Sequence, residues 1–382
     1  MEENENNKLK EEITAENSKN TLLRQRALAA NIEAAKEIEA PARKYFNYPT
    51  SPASNLIIET LTAGEDIEEI PDRKRKINNS TVYTVYSDDN NDKNKRLTLE
   101  NKKVTLDLRI ENIEELTGSN KTAKKFFLLS LIKANEQAIH NGQATSEYIS
   151  YPLQDLIDIG LYSTLKSARR GFLDGMKRLS EFSLYGQIQI SERKKIDFVG
   201  LRPFGISYIE NNQCYTKINS EFGWGGLFQF FSILPFYYFK LPNKASDLLE
   251  YIFYLARQNA RKIEEQGYFT ISFRAIQEKL FLPSEIKNHN PLRNIKKPIL
   301  DAIEQIEAEH KASYDNKDLV LIPKYDDKAT IEKFLEDGYL QVEIKGDFAD
   351  IFIEQSRIKA KQIEQVQKRK LQRGKQKNKE EE

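Results

Sequence analysis

Residues Tyr148 to Leu179 read YISYPLQDLIDIGLYSTLKSARRGFLDGMKRL, and the changes of pattern inside this stretch decide the fold. YISY has the residue types of a short strand, PLQDLIDI those of a short helix, and GLY those of a turn. Ser163 then stands where a capping side chain is expected before a longer helix. Strand, short helix, tight turn and long helix have the spacing of a helix-turn-helix. In the long helix Leu165, Ala168, Phe172, Met176 and Leu179 recur at steps of three and four, which predicts a buried stripe. The opposite face opens with Ser163, Thr164, Lys166, Ser167 and Arg170, with Arg169 at its edge. Small hydrogen-bonding and cationic groups in the first two turns are what a helix presents to a DNA major groove.

Immediately downstream, SLYGQIQI and KIDFVGL alternate with period two and are joined by Ser191 to Lys195, a hairpin with a basic tip at Arg193, Lys194 and Lys195. Helix-turn-helix followed by a basic hairpin predicts a winged helix. Residues 161–200 hold eight Lys and Arg against four acids, a local +4 on elements that would meet phosphates. The hairpin ISYIENNQCYTKI follows, with an Asn-Asn turn and Cys214 as a small strand residue.

Upstream, STVYTVYS, KRLTLE and KVTLDLRI read as short strands, and LTGSNKTAKKFFLLSLIKANEQAI as a capped helix with an apolar face. GSNKT lacks the first glycine of a phosphate loop and has no glycine directly before Lys121, so helix capping accounts for it. Residues 1–77 are mostly charged or small and read as an arm, partly helical or disordered; PTSPAS and PDRKRK read as solvated linker.

The plan recurs after an aromatic joint at residues 221–244. KASDLLEYIFYLARQNARKIEEQ predicts one long amphipathic helix, GYFTISF a strand, RAIQEKLFL a helix and PSEIKNHN a turn. In PLRNIKKPILDAIEQIEAEH, Leu292, Ile295, Ile299, Ile303 and Ile306 form the apolar stripe, with Arg293, Lys296 and Lys297 off it and Pro298 set to kink the first turns. Residues 286–300 carry Lys287 and those three cations with no acid, and Asn290 stands in the preceding turn. LVLIPKY and GYLQVEIK predict a second wing around an intervening turn of helix. The expected fold class is therefore α+β: two tandem winged-helix domains (residues 78–220, with preceding short strands, and 245–357), an N-terminal arm and a basic C-terminal tail (358–382). Within that tail, residues 358–379 hold nine Lys and Arg against one acid, Glu364.

Composition narrows the function classes. The 382 residues carry 59 Lys and Arg against 58 Asp and Glu, so a nucleic-acid surface has to come from clustering rather than bulk charge. One cysteine excludes an intrachain disulfide framework and cysteine-based zinc sites, which fits a cytoplasmic protein. MEENENNKLK is not a signal peptide, and FGWGGLFQFFSILPFYYF (Phe222–Phe239) is short and broken by glycines, Gln229 and Pro235, so it reads as buried joint rather than membrane span. Trp224 belongs to that joint. His140, His289 and His310 are isolated, so the His-x-His pair of tyrosine nickases is missing, as are HExxH and a Walker loop. Asp88-Asp89 and Asp326-Asp327 lie in turn-like contexts. No catalytic residue, metal site or cofactor is expected.

SARRGFLDGMKRL in the first module, FFSILPFYYFKL at the joint and LLEYIFYLARQ opening the second resemble the initiator proteins of iteron-type plasmids, over roughly residues 100 to 360. The long N-terminal arm departs from the short forms of that family. The resemblance implies a protein whose two winged helices bind repeated duplex origin sites as a monomer. It also implies a homodimer that represses its own promoter, and recruitment of the host initiator and replicative helicase. The expected function is sequence-specific duplex DNA binding that initiates replication of a plasmid or mobile element. A transcriptional regulator from a mobile element, or a DNA-nicking initiator, is the alternative.

Overall fold

The computed structural model describes residues 45–49, 75–77, 80–86, 95–101, 104–110, 121–140, 148–180, 182–191, 194–202, 204–218, 231–281, 292–314 and 317–357. The chain divides into two compact units, the first ending at Phe236 and the second beginning at Tyr237. The architecture is mixed α+β, with a winged-helix module in each unit.

The first unit runs β1 (Tyr45–Pro49), β2 (Arg75–Ile77), β3 (Ser80–Tyr86), β4 (Lys95–Asn101), β5 (Val104–Ile110), α1 (Lys121–His140), β6 (Tyr148–Pro152), α2 (Leu153–Asp158), α3 (Leu165–Ser180), β7 (Phe182–Ser191), β8 (Lys194–Leu201), β9 (Phe204–Glu210), β10 (Gln213–Ile218) and β11 (Phe231–Pro235). Its winged-helix sheet has the order β6-β10-β9, all antiparallel. Helices α1 and α3 cover one face of that sheet, burying Phe126, Phe127, Ile149, Tyr151, Phe172, Phe204, Cys214 and Ile218. Edge-to-face ring pairs run through this core, Phe126 with Phe172 at 6.0 Å and Phe127 with Phe204 at 5.9 Å.

Three expectations change here. The SLYGQIQI/KIDFVGL hairpin forms, as β7 and β8, but it belongs to a six-stranded antiparallel sheet of order β2-β3-β4-β5-β7-β8. The winged sheet takes the next hairpin instead, β9–β10, turned by Asn211 and Asn212 at φ 50° and 60°. Two successive left-handed residues make the tight turn whose twist suits a hairpin, and asparagine tolerates that region. Both hairpins alternate equally well, so period two cannot say which sheet each one joins; β7 is claimed by β5, more than seventy positions upstream. The charged leader is also not all arm: Arg75–Ile77 pairs with Ser80–Val82 at the edge of the six-stranded sheet, and β1 pairs with β11.

The aromatic stretch Phe222–Phe239 lies within the described residues only from Phe231. That part is strand β11 and one 3-10 turn (Phe236–Phe239) that buries Tyr237, Tyr238 and Phe239. No helix among the described residues is long and apolar enough to cross a membrane.

The second unit continues with α4 (Asn243–Gln258), α5 (Ala260–Gln266), β12 (Tyr268–Ser272), α6 (Phe273–Leu280), α7 (Lys297–Ser313), β13 (Leu319–Lys324), α8 (Ile331–Asp337), β14 (Tyr339–Ile344) and α9 (346–357). Sheet order β12-β14-β13 repeats the first module's plan, first strand beside last, with α8 held between the two hairpin strands. The helix expected as one piece is two: it breaks at Asn259 (φ −101°), whose amide donates to the Leu255 carbonyl at 2.9 Å. A side chain that bonds its own helix backbone competes with the ladder and favours an end there. The residues beyond 357, including the basic tail, lie outside the described set, as do residues 118–120 of GSNKT, whose Lys121 and Thr122 open α1.

Candidate nucleic-acid interface

The turn of the first helix-turn-helix is fixed by backbone chemistry. Gly160 adopts φ +77°, open to glycine without strain, and ends α2. Its N–H donates to the Ile157 carbonyl at 2.8 Å, and the Leu161 N–H to the Leu156 carbonyl at 3.0 Å. That double bond pattern is the Schellman arrangement, which satisfies the last carbonyls of α2 and turns the chain toward α3.

At the start of α3 the expected cap moves by one residue. Thr164 and Ser167, not Ser163, cap the helix: the Ser167 N–H donates to Thr164 Oγ1 at 3.2 Å and the Thr164 N–H to Ser167 Oγ at 3.3 Å. The two hydroxyls are also bonded to each other at 2.9 Å. Reciprocal bonding of this kind satisfies two orphan donors of the first turn. It also occupies both hydroxyls, which leaves Ser163, exposed on the turn, as the uncommitted small hydroxyl of the three.

Ala168, Phe172, Met176 and Leu179 are buried as their spacing requires, but Leu165 is 43 % exposed. The stripe therefore begins one turn later than the periodicity suggests. Lys166, Arg169 and Arg170 are exposed on the first two turns, and Arg170 reaches Asp174 at 3.6 Å along the helix. Both members of that pair are solvated, so it offers little resistance to exchange for a phosphate or base. Within α3 five cations face one acid.

Two glycines let the helix be gripped from behind. A Cβ at Gly171 would overlap the Tyr162 hydroxyl, and one at Gly175 would overlap the Phe126 ring. One turn apart, they leave a bare strip of backbone on which Tyr162 and Phe126 lie, their rings stacked 6.1 Å apart. Burial, then the charge of Asp174, pushes the Tyr162 hydroxyl up to about 12, so it stays neutral. On the other side Lys133 of α1 bridges to Asp155 of α2 at 2.6 Å. Burial works to lower that ammonium, but its hydrogen bond to Asp155 and the charges of Glu136 and Asp155 outweigh burial and raise it. These contacts set the angle at which α3 is presented. They are not legible in the sequence, because glycine spacing signals room without saying what fills it.

Of the basic hairpin, Lys194 and Lys195 open β8, opposite Ser191 and Gln189, while Arg193 lies outside the described residues.

In the second module α7 is preceded by a widened, π-type turn over Leu292–Lys296. Pro298 supplies the reason: without an N–H it cannot bond the carbonyl four residues back, so the ladder opens there. Ile295, Ile299, Ile303 and Ile306 are buried. Arg293 and Lys297 are exposed, while Lys287 and Asn290 lie outside the described residues. Lys296 is held by the wing. Its ammonium sits 4.7 Å from the Tyr325 ring centroid and 5.3 Å from that of Phe334, and donates to the Asp327 carbonyl at 3.3 Å. Phe334 in turn stacks on Phe273 at 4.4 Å. The cation thus ties the start of the long helix to the wing helix α8 and, through it, to α6.

His310, one of the isolated histidines, is buried in α7 among Tyr237, Tyr314 and Phe348, and its Nε2 accepts from the Leu319 N–H at 3.3 Å. It joins α7 to β13 and is a structural acceptor. Cys214 is buried, its thiol pushed up to about 12 by burial and then by Asp155, so it is an inert core residue. No group of three or more His, Cys, Asp or Glu among the described residues is placed to hold a metal ion.

No family model matches the chain, and no curated protein sequence does. Among solved structures, the crystal structure of RctB domains 2-3 is similar over 82 % of this chain and 96 % of that one, at 13 % identity and a TM-score of 0.38. A crystal structure of selenomethionine derivatives of domains 2 and 3 of RctB is similar over 76 % of this chain and 100 % of that one, at 9 % identity and a TM-score of 0.36. Both are distant likenesses, and the functional reading below rests on this chain's own residues.

Proposed function

We propose that the protein binds duplex DNA sequence-specifically through two reading heads and initiates replication of a plasmid or mobile element at repeated sites. The observation that carries the reading is the first head: a helix-turn-helix whose long helix is buried on one face and presents Lys166, Arg169 and Arg170 on the first two turns of the other. A second module of the same topology offers Arg293 and Lys297 at the corresponding end of α7. In this reading Ser163 and Arg170 face base edges, Thr164 and Ser167 shape the end of the helix that approaches the duplex by capping it, and Lys166, Arg169, Lys297 and Arg293 meet phosphates. Lys287 and Asn290 precede the second head in sequence, and Arg193, Lys194 and Lys195 contribute from the β7–β8 hairpin. Two linked heads raise the effective concentration of each on one duplex. The initiator role, the dimer, and the host initiator and helicase as partners follow from the family resemblance of the sequence.

The test is fluorescence-anisotropy binding of the full chain to duplex DNA from around its own gene and to a scrambled duplex across a salt series. Preference of about 10³ or more with a steep salt slope is expected. Weak binding indifferent to sequence and salt would reduce both helical faces to ordinary solvated surface. Strand opening of the preferred DNA in the presence of host proteins then separates an initiator from a regulator.

A further inference from the structure

We infer that two copies of this chain pair through the open face of the first module's winged sheet; the inference rests on the homodimer of the reading above and assigns its surface. Helices α1 and α3 cover the inner face of that sheet, where Ile149, Tyr151, Cys214 and Thr216 are buried. The alternate positions point the other way and are largely apolar too: Tyr148 is 68 % exposed, Ile206 77 % and Tyr208 49 %. Tyr208 stacks on Tyr215 across the hairpin at 4.8 Å with 13° between ring planes, and the Lys217 ammonium lies 5.4 Å from the centroid of the Tyr148 ring. Strand pairing sets these groups side by side, Tyr215 opposite Tyr208 and Lys217 opposite Tyr148. The topology does not require such a face. In the second module Gln341 and Glu343 hold the places of Tyr215 and Lys217 on the central strand, and there Gln341 donates to Glu343 at 3.0 Å and Lys345 to Glu343 at 2.9 Å. Aromatic groups gathered on an open sheet face, beyond what the fold needs, mark a protein contact.

The occupant follows from charge and symmetry. Lys217 and Glu210 are the charged residues among the outward positions of the three strands, so the face offers no net attraction to a nucleic acid, whose backbone calls for a run of cations. The two stand at opposite ends of the hairpin, about 13 Å apart along the strands. A two-fold axis lying between two such faces, and crossing the strands at the Tyr208–Tyr215 stack, sets each Lys217 against the second copy's Glu210 and brings the tyrosine stacks together at the centre. The strands of the two sheets then run nearly antiparallel, as in aligned face-to-face packing. The outward side chains present roughly 600 Å² per copy, enough for a specific but reversible contact. Helix α3 lies on the other side of the sheet, so pairing leaves Lys166, Arg169 and Arg170 exposed for duplex DNA.

The experiment is sedimentation equilibrium of the full chain without DNA. Wild type should form dimers. Lys217→Glu and Glu210→Lys should each raise the dissociation constant about tenfold, since two attractive contacts become repulsive in every dimer. An equimolar mixture of the two variants should restore association to wild-type strength, because each chain then meets its opposite charge in the other; that rescue also shows both variants folded. Tyr208→Ser should weaken the dimer by about tenfold or more, as loss of a central aromatic does.

Wild-type dimers that neither charge change weakens, or a mixture no stronger than its components, overturn this face and leave the homodimer standing. A wild type that stays monomeric overturns the homodimer reading and the face with it. A monomer that binds oligothymidylate, with that binding lost in Tyr208→Ser, overturns the pairing and gives the face to single-stranded DNA.

Discussion

His310 should make the second module sensitive to mild acid. Burial among Tyr237, Tyr314 and Phe348 lowers the imidazole from 6.5 to about 4, and its Nε2 lone pair accepts the Leu319 N–H at 3.3 Å. Protonation would turn that acceptor into a donor facing another donor. An unfolded chain takes up this proton as pH falls below 6.5, while the folded one resists until about 4. The unfolded state therefore binds more protons between those values, and stability falls with pH in that window. Stability is full above 6.5, about 2 kcal/mol has gone by pH 5, and the loss levels off near 3 kcal/mol below about 4, at 1.36 kcal/mol per pH unit.

The assay is amide exchange of the Leu319–Lys324 segment in the full chain between pH 7 and 5, corrected for the intrinsic exchange rate, beside His310→Gln. Glutamine can offer a carbonyl to the Leu319 N–H and does not titrate. Ordinary carboxylates shift both proteins alike, so the difference between them isolates the imidazole. Protection should fall about 30-fold more in wild type than in the variant over that range. Parallel profiles would refute the buried neutral acceptor.

Other outcomes follow from the same geometry. Lys296→Met should weaken DNA binding and speed amide exchange across Ile331–Asp337 while leaving the salt slope unchanged, because the ammonium is spent on Tyr325, Phe334 and the Asp327 carbonyl; a slope reduced by about 0.9 would make it a phosphate contact. Gly175→Ala should destabilise the first unit by about 1–3 kcal/mol in urea unfolding, since the Phe126 ring it overlaps is fully buried. Gly171→Ala should cost less, as the Tyr162 hydroxyl end can swing away; equal losses would mean that the ring contacts do not set the angle of α3. Replacing Lys194 and Lys195 together by alanine should lower the salt slope by roughly two, and an unchanged slope would remove the β7–β8 hairpin from the interface.

Much of this architecture is legible from local pattern because a helix-turn-helix is written locally. Leu153 and Leu156, Gly160, and the Ala168–Phe172–Met176–Leu179 row each act within a turn or two of chain, and each behaves as its spacing demands. What periodicity missed depends on partners far away in sequence. Alternation alone cannot place the wing, because β7 and β9 alternate alike and only pairing with β5 or with β10 distinguishes them. Leu165 fits the apolar step pattern but sits before the point at which α3 meets its core. Lys296 looks like one basic residue among four, and its engagement depends on Tyr325 and Phe334, about thirty to forty positions later. Ser163 and Thr164 are both good caps, and Ser167, three residues after Thr164, decides between them by closing the reciprocal bond.

The two heads are built alike in topology and unlike in how their wings are held, which bears on how they would divide the work. In the first, a two-residue turn at Asn211–Asn212 closes the wing, so none of the exposed cations on the first two turns of α3 is used to hold it. In the second, the hairpin carries a helix, and one of the three cations at the start of α7 is consumed in fastening it. The π-type turn before Pro298 also alters the phase of Arg293 relative to Lys297 by comparison with a regular helix. Counterion release should then fall mainly on the first head, with Lys166, Arg169 and Arg170. The second head, with Arg293 and Lys297 and a wing locked to its helix, should contribute more through fixed shape. Salt would accordingly weaken contacts of the first module before those of the second, so the footprint of the first head on DNA should fade at lower ionic strength.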